Sequence, residues 1–262
     1  MAGIHIKGVT FAYPTERRND AALRGIDLQI SDGEFCCIMG HSGCGKTSLL
    51  NVMAGLLRPE AGSVCSNGRP LCGPGADRAV VFQHSGLFPW MTATENVVFG
   101  IRQTHKGMPK RQALERAGQY MQMVGLSGVG GKYPHQLSGG MQQRTALARA
   151  LAIDAEVLLL DEPFASLDTK NKAELQKLLQ ELWGSGDKRK TVVFVTHDIE
   201  EGLLLADRIV YMDNGRIEKE ISLPFAHPRT SEDMAHEPQA REIKEKLVEW
   251  FYRSKETSHE ES

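Results

Sequence analysis

Gly40-His41-Ser42-Gly43-Cys44-Gly45-Lys46-Thr47 fits the pattern G-x-x-x-x-G-K-[ST] and lies between a strand-like run, Glu34 to Met39, and a helical pattern that opens at Lys46. Glycines at those spacings let the backbone curl so that successive N–H groups point inward, and a helix start adds the positive end of its dipole. The stretch therefore reads as a phosphate cradle. Lys46 is placed to reach the β and γ phosphates of a nucleotide and the Thr47 hydroxyl to ligate Mg²⁺, with the Ser48 hydroxyl beside it able to serve equally. Leu49, Leu50, Met53, Leu56 and Leu57 follow at spacings of three and four until Arg58-Pro59 stops the helix.

Around the cradle, Ile4 to Phe11, Gly25 to Ile30, Ser63 to Ser66 and Ala79 to Gln83 read as short strands, with Asn67-Gly68 as a turn. From Thr92 to about Ala152 the pattern becomes helical, with Pro109 at a first helical position and Leu114, Ala117, Met121 and Val124 as one apolar stripe. Val157 to Leu160 and Val192 to Val195 are apolar at every position, as a strand buried on both faces of a parallel sheet requires. Lys172 to Trp183, between them, has helical spacing. Arg208 to Met212 and Arg216 to Ile221 read as a hairpin turning at Asp213-Asn214-Gly215. Further on, Ile243, Leu247 and Trp250 or Phe251 can pack one helix onto the body or offer it to a partner, and the polar Ser254 to Ser262 is expected to fray.

Composition narrows the function classes. With 262 residues, 41% of them hydrophobic, the chain can bury a sizeable core, and disorder, coiled coil and collagen are excluded. Lys+Arg 31 against Asp+Glu 33 gives a formal charge of −2, which lends nothing to a nucleic-acid partner. The apolar runs fall far short of the roughly 18 to 20 residues that span a bilayer. Met1 to Lys7 has no apolar run of signal length either, so the chain is expected in the cytoplasm. Cys36, Cys37, Cys44, Cys65 and Cys72 are odd in number and contain no C-x-x-C pair, and they read as free thiols.

A phosphate site that does chemistry needs a carboxylate at the end of a buried strand, and Val157-Leu158-Leu159-Leu160-Asp161 supplies one, followed at once by Glu162. Asp161 would orient Mg²⁺, and Glu162 could polarise the water that attacks a γ phosphate. Shortly before them stands Leu137-Ser138-Gly139-Gly140-Met141-Gln142-Gln143-Arg144, and with this stretch the sequence resembles the nucleotide-binding subunit of ATP-binding cassette (ABC) transporters, departing from the LSGGQ signature only at Met141. In that family the signature opens a helix and faces the phosphate loop of a second copy, so the resemblance implies a head-to-tail dimer with two sandwiched ATP molecules. Ser138 and the N–H groups of Gly139 and Gly140 would form its anion-binding helix start. The resemblance runs in order over about residues 4 to 220. By it, Tyr13 resembles the aromatic that stacks on adenine, Gln83 the glutamine that touches Mg²⁺ and the attacking water, Ser166-Leu167-Asp168 the loop that crosses the dimer interface, and Thr196-His197-Asp198 the motif whose histidine meets the γ phosphate.

The implied fold is α/β: a P-loop NTPase (RecA-like) core with an N-terminal antiparallel β subdomain and an α-helical insertion, about 88–152, that carries the signature. The nucleotide-binding domain is placed at 4–225, and a C-terminal helix and polar tail at 226–262. Leu87-Phe88-Pro89-Trp90-Met91-Thr92-Ala93-Thr94-Glu95-Asn96-Val97 resembles the importer stretch that receives a permease's coupling helix, in the form typical of the nitrate, sulfonate and taurine group. Leu87, Phe88 and Trp90 could equally plug the core of their own subdomain. The expected function is thus an ATPase subunit, with ATP and Mg²⁺ as cofactors, that powers an importer from the cytoplasmic face of the inner membrane. Its implied partners are a second copy, integral-membrane permease subunits and, indirectly, a solute-binding protein, with no nucleic acid. The alternative is the same cassette in an exporter or a lipid-trafficking system. Repair and translation factors built on the cassette would show a long coiled-coil insertion, zinc cysteines or tandem cassettes, none of which this sequence contains.

Overall fold

The computed structural model describes residues 3–14, 21–184 and 189–260, and the side chains of those residues as far as Tyr252. The chain forms two compact units, Met1–Gly73 with Thr191–Ser262, and Pro74–Lys190. The first opens with strands β1 (Gly3–Phe11), β2 (Leu23–Ser31) and β3 (Phe35–Gly40), helix α1 (Lys46–Ala54), and strands β4 (Ala61–Ser66) and β5 (Arg69–Pro70). The second follows with β6 (Arg78–Val81), helices α2 (Ala93–Thr104), α3 (Lys110–Met123) and α4 (Gly139–Ile153), strand β7 (Val157–Asp161) and α5 (Thr169–Gly184). The chain returns to the first unit with β8 (Thr191–Val195), α6 (Ile199–Leu205), β9 (Arg208–Asp213), β10 (Arg216–Ser222), α7 (Ser231–His236) and α8 (Pro238–Glu260).

In the first unit an antiparallel sheet runs β2-β1-β4-β5. Beside it β3 pairs in parallel with β8, Phe35 opposite Val192, and with β9, Gly40 opposite Met212. Every residue of β3 and β8 is buried, which is why neither shows the polar–apolar alternation of a half-exposed strand. The β9–β10 turn is the one the Asn-Gly pair requires: Asn214 and Gly215 both have positive φ, 45° and 74°. Helix α1 stops at Ala54, before the expected Arg58. Gly55 takes a left-handed cap conformation, and a Cβ there would sit 2.3 Å from the Gly73 carbonyl oxygen, so the chain must turn at that glycine. Helix α8 is fixed by the buried Ala240, Ile243 and Leu247, so its apolar stripe packs on its own unit. Its helical backbone continues to Glu260, into the stretch expected to fray; Glu261 and Ser262 lie outside the described residues.

In the second unit β6 and β7 pair in parallel, Val81 opposite Leu160. Helices α2, α3 and α4 pack around Val97, Ile101, Ala117, Met121, Ala146 and Ala150. Ala113 takes the stripe position assigned to Leu114, whose side chain is exposed. Alanines at 113 and 117 allow a closer helix approach than leucine would. Pro109 precedes α3 with ψ 142°, which makes it the cap residue instead of the first helical one. Thr92 caps α2 in a reciprocal pair with Glu95. The loop before it is held by Asn96, fully buried, whose Oδ1 accepts the Phe88 N–H at 2.8 Å while its Nδ2 donates to the carbonyls of Phe88, Met91 and Thr92 at 3.2, 3.1 and 3.0 Å.

Two expectations follow. Asn96→Ala strips the partners from that loop and should cost about 1–3 kcal/mol, read as a lower urea midpoint; an unchanged midpoint would contradict the packing described. Iodoacetamide at neutral pH should label the exposed Cys72 first and the buried Cys36, Cys37 and Cys44 last, because burial pushes those three thiols up and keeps them protonated. Mass spectrometry of timed digests reads that order.

Candidate active site

The loop between β3 and α1 depends on its glycines. Gly40, Gly43 and Gly45 have φ of 152°, 82° and 103°. A Cβ on Gly40 would lie 2.2 Å from the Met212 carbonyl oxygen, and one on Gly45 2.5 Å from that of Ala22, so both positions are closed to other residues on conformational and steric grounds. Gly45 is also the N-cap of α1 and brings no side chain to cap it. Lys46, only 7% exposed, turns its Nζ back into the loop, donating to the carbonyls of Gly40 at 2.8 Å and His41 at 2.7 Å. The β9–β10 turn buttresses the loop, the Gly215 N–H donating to the Cys44 carbonyl at 3.1 Å. Cys44, within the loop, is buried, its thiol pushed up by burial and partly pulled back by Lys46. A glycine turn, a helix start whose cap residue brings no side chain and a central ammonium group make a site that fits a polyphosphate.

Thr47 is exposed at the helix start, whereas Ser48 is buried with its hydroxyl 3.1 Å from that of Tyr13. Tyr13 is half-exposed, its ring edge-on to Phe11 with centroids 4.9 Å apart. Gly40, His41 and Ser42 share a cavity of about 430 Å³ with His197, which Tyr13, Lys46 and Thr47 do not line. His197 leaves the end of β8 in a turn set by Asp198, which caps α6 by accepting the Glu200 N–H at 2.9 Å and the Glu201 N–H at 3.4 Å. The far wall of this cavity comes from α8, through Val248, Phe251 and Tyr252, which the sequence had not connected with the loop.

In the second unit Asp161 closes β7 and is buried. Glu162 follows in the left-handed region, φ 45°, a conformation that costs a non-glycine residue about 1–3 kcal/mol and marks functional turns. Its Oε2 accepts from Gln83 Nε2 at 3.4 Å, so that pair does meet. Ser138 caps α4 by accepting the Met141 N–H at 3.3 Å, and Gly139 and Gly140 form the first helical positions. A Cβ on Gly140 would meet Leu167 Cδ2 at 3.0 Å, which puts the signature start against the Ser166–Asp168 segment. The Asn171 backbone N–H, then its side chain, holds the exposed Asp168 carboxyl below its ordinary range.

The chain on both sides of Gln83 is tied to α4 by residues given no such task in the sequence. Gln143 Nε2 donates to the Phe82 carbonyl at 3.2 Å, and the Arg149 guanidinium to those of Gly86 at 2.8 Å and Ser85 at 3.2 Å. Burial lowers the pKa of Arg149, and its charge also lies over the Phe88 ring. Phe88 is half-buried against Phe99, while Trp90 is 69% exposed. The aromatic pair thus divides between plugging the subdomain and facing outward. Among the described residues no group of three or more His, Cys, Asp or Glu gathers to hold a metal.

The family model for ABC transporters matches residues 23–165. The bicarbonate transport ATP-binding protein of Synechocystis sp. is 42% identical over 254 residues, covering 96% of this chain and 89% of the relative. The nitrate import ATP-binding protein of Synechococcus elongatus is 40% identical over 253 residues, 95% and 92%. The taurine import ATP-binding protein of Chromobacterium violaceum is 42% identical over 254 residues, 95% and 95%. Among solved structures, a dimeric ATP-binding cassette in a post-hydrolysis state with bound ADP and Pi superposes with a TM-score of 0.79 at 35% identity, covering 85% of this chain and all of that one. A phosphate cradle, a strand-end Asp-Glu pair and a signature helix start, with relatives of this similarity over nearly the whole length, place the chain in the ABC transporter family as one of its ATP-binding, ATP-hydrolysing cassettes.

Proposed function

We propose that this ATPase energises an importer for a small solute bearing a compact oxyanion group. The observation that carries the reading is the near-full-length similarity to ATP-binding proteins of bicarbonate transport, nitrate import and taurine import, solutes that each bear such a group. In this reading the chain sits on the cytoplasmic face of the membrane; no described helix is long and apolar enough to cross it. A permease docks on the Gln83 to Val97 region, with the exposed Trp90 offered to its coupling helix, and a solute-binding protein delivers the cargo.

The nucleotide roles follow the motif positions. Tyr13 stacks on the base. Gly40, His41, Ser42, Gly43, Cys44, Gly45, Lys46, Thr47 and Ser48 form the cradle, in which the inward N–H groups and the Lys46 ammonium hold phosphate oxygens. Thr47, Gln83 and Asp161 would hold Mg²⁺, which when bound neutralises charge across the β and γ phosphates. Glu162 takes the proton of the attacking water and His197 donates to the γ phosphate, so the chain's contribution is mainly positioning and charge stabilisation. Ser138, Gly139, Gly140 and Asp168 serve the nucleotide of a second copy. The helix start they form has N–H groups suited to an anion, and the sandwich supplies that anion from the partner's cradle.

Glu162→Gln should lower ATP turnover by about 10²–10⁴-fold with ATP binding retained, whereas turnover near wild type would remove Glu162 from the role of base. Gly45→Ala forces a Cβ onto the Ala22 carbonyl oxygen and should weaken mant-ATP binding more than about tenfold; an unchanged titration would sink the cradle geometry. For transport, tagged Glu162→Gln chain is recovered with ATP from detergent-solubilised native membranes and its partners are identified by mass spectrometry. A multi-span permease with a solute-binding protein is the expected result. A permease without any binding protein would point to export, and soluble factors alone would overturn transport while leaving the ATPase intact.

A further inference from the structure

The cavity beside the phosphate loop is walled on its far side by α8, and a specific contact joins the two. His41 Nε2 lies 2.8 Å from the Phe251 carbonyl oxygen, and because a carbonyl can only accept, the imidazole hydrogen is on Nε2. The rings of His41 and Phe251 meet edge to face at 5.2 Å. The α8 side of this contact is anchored to the strands that carry the loop. Tyr211, paired with Met39 in the β3–β9 register, donates its hydroxyl to the Trp250 carbonyl at 3.0 Å and packs edge-on to Phe251 at 5.2 Å. Lys219 of β10 places its ammonium 5.2 Å from the centre of the Trp250 ring, and Lys244 pairs with Glu200 of α6. Loop, strand β9 and helix α8 are thus cross-braced through His41, Tyr211 and Phe251.

We propose that Phe251 is a positioning residue for the nucleotide site: through His41 it holds the phosphate loop in its binding shape, which makes ATP affinity depend on the C-terminal helix. A half-buried imidazole locked by one hydrogen bond and one ring contact fixes the second residue of the loop, and a loop whose N–H groups are pre-aligned loses less entropy on meeting phosphate. The inference rests on the reading of the loop as the ATP site. Phe251 itself touches no phosphate in this scheme; it acts through His41.

The test is mant-ATP titration, followed by fluorescence, of full-length chains that retain the wild-type urea midpoint to within the error of the fit. Phe251→Ala should weaken binding by about three- to tenfold, Phe251→Tyr, which keeps the ring, by less than about twofold, and Tyr211→Phe, which removes only the brace to Trp250, by an amount between them. In a His41→Ala background, Phe251→Ala should add almost nothing, since the residue it acts through is gone. Unchanged or tighter binding in both Phe251→Ala and Tyr211→Phe, or the same loss whether or not His41 is present, overturns the proposal. Lys46→Ala separates this from failure of the ATP-site reading: if it binds mant-ATP as the wild type does, the loop is not the ATP site and both ideas fall.

Discussion

A buried ammonium group inside a ring of backbone is the constraint on which the proposed nucleotide site depends. Lys46 is held by the carbonyls of Gly40 and His41, and that arrangement exists only because the chain takes positive φ at three glycines between β3 and α1. The carbonyls of Gly40 and His41 satisfy the lysine, so its charge is held inside the turn by backbone acceptors. The rest of the first unit serves to hold this turn. Strand β3 is buried between β8 and β9, the β9–β10 turn bonds Cys44, and α1 carries Leu49, Leu50 and Met53 into the core.

The second unit has a complementary character. Its chemistry-bearing groups are acceptors and helix-start donors: the buried Asp161, the strained Glu162 with Gln83 beside it, and the Ser138–Gly140 start of α4 against Ser166 and Leu167. A helix start with an exposed Gly139 and a half-buried Gly140, next to a loop whose Asp168 carboxyl is held below its ordinary range, suits an anion flanked by a cation. The proposed pairing of copies answers that need, since each cradle would present a phosphate and its Mg²⁺ to the other chain's signature.

What the sequence disclosed was whatever is encoded in contiguous residues. The phosphate-loop pattern, the Asn214-Gly215 turn and the continuous apolar runs of β7 and β8 each carry their meaning within a few positions, whereas the Asp161-Glu162 strand end gained its meaning only from the phosphate-loop pattern elsewhere in the chain. Long-range contacts carry no such mark. Arg149 holding the Ser85 and Gly86 carbonyls, Asn96 holding the Phe88 loop and Phe251 holding His41 join residues whose partners only folding brings near. Boundaries failed for the same reason. Nothing local to Gly55 announces that Gly73 lies against it, and helical periodicity cannot separate Ala113 from Leu114 until the neighbouring helix is in place. The strain at Glu162 also leaves no trace in a linear pattern, because it is imposed by what surrounds the end of β7.

The central claim is that one copy's cradle and another's signature start share each ATP. Its most direct test is the solution mass of the Glu162→Gln chain, measured by light scattering during size exclusion, with ATP and Mg²⁺ against ADP and Mg²⁺. The account predicts a doubling of mass with ATP that is absent with ADP and is lost when Ser138→Arg is added. A chain that binds ATP yet keeps the same mass under both conditions would contradict it.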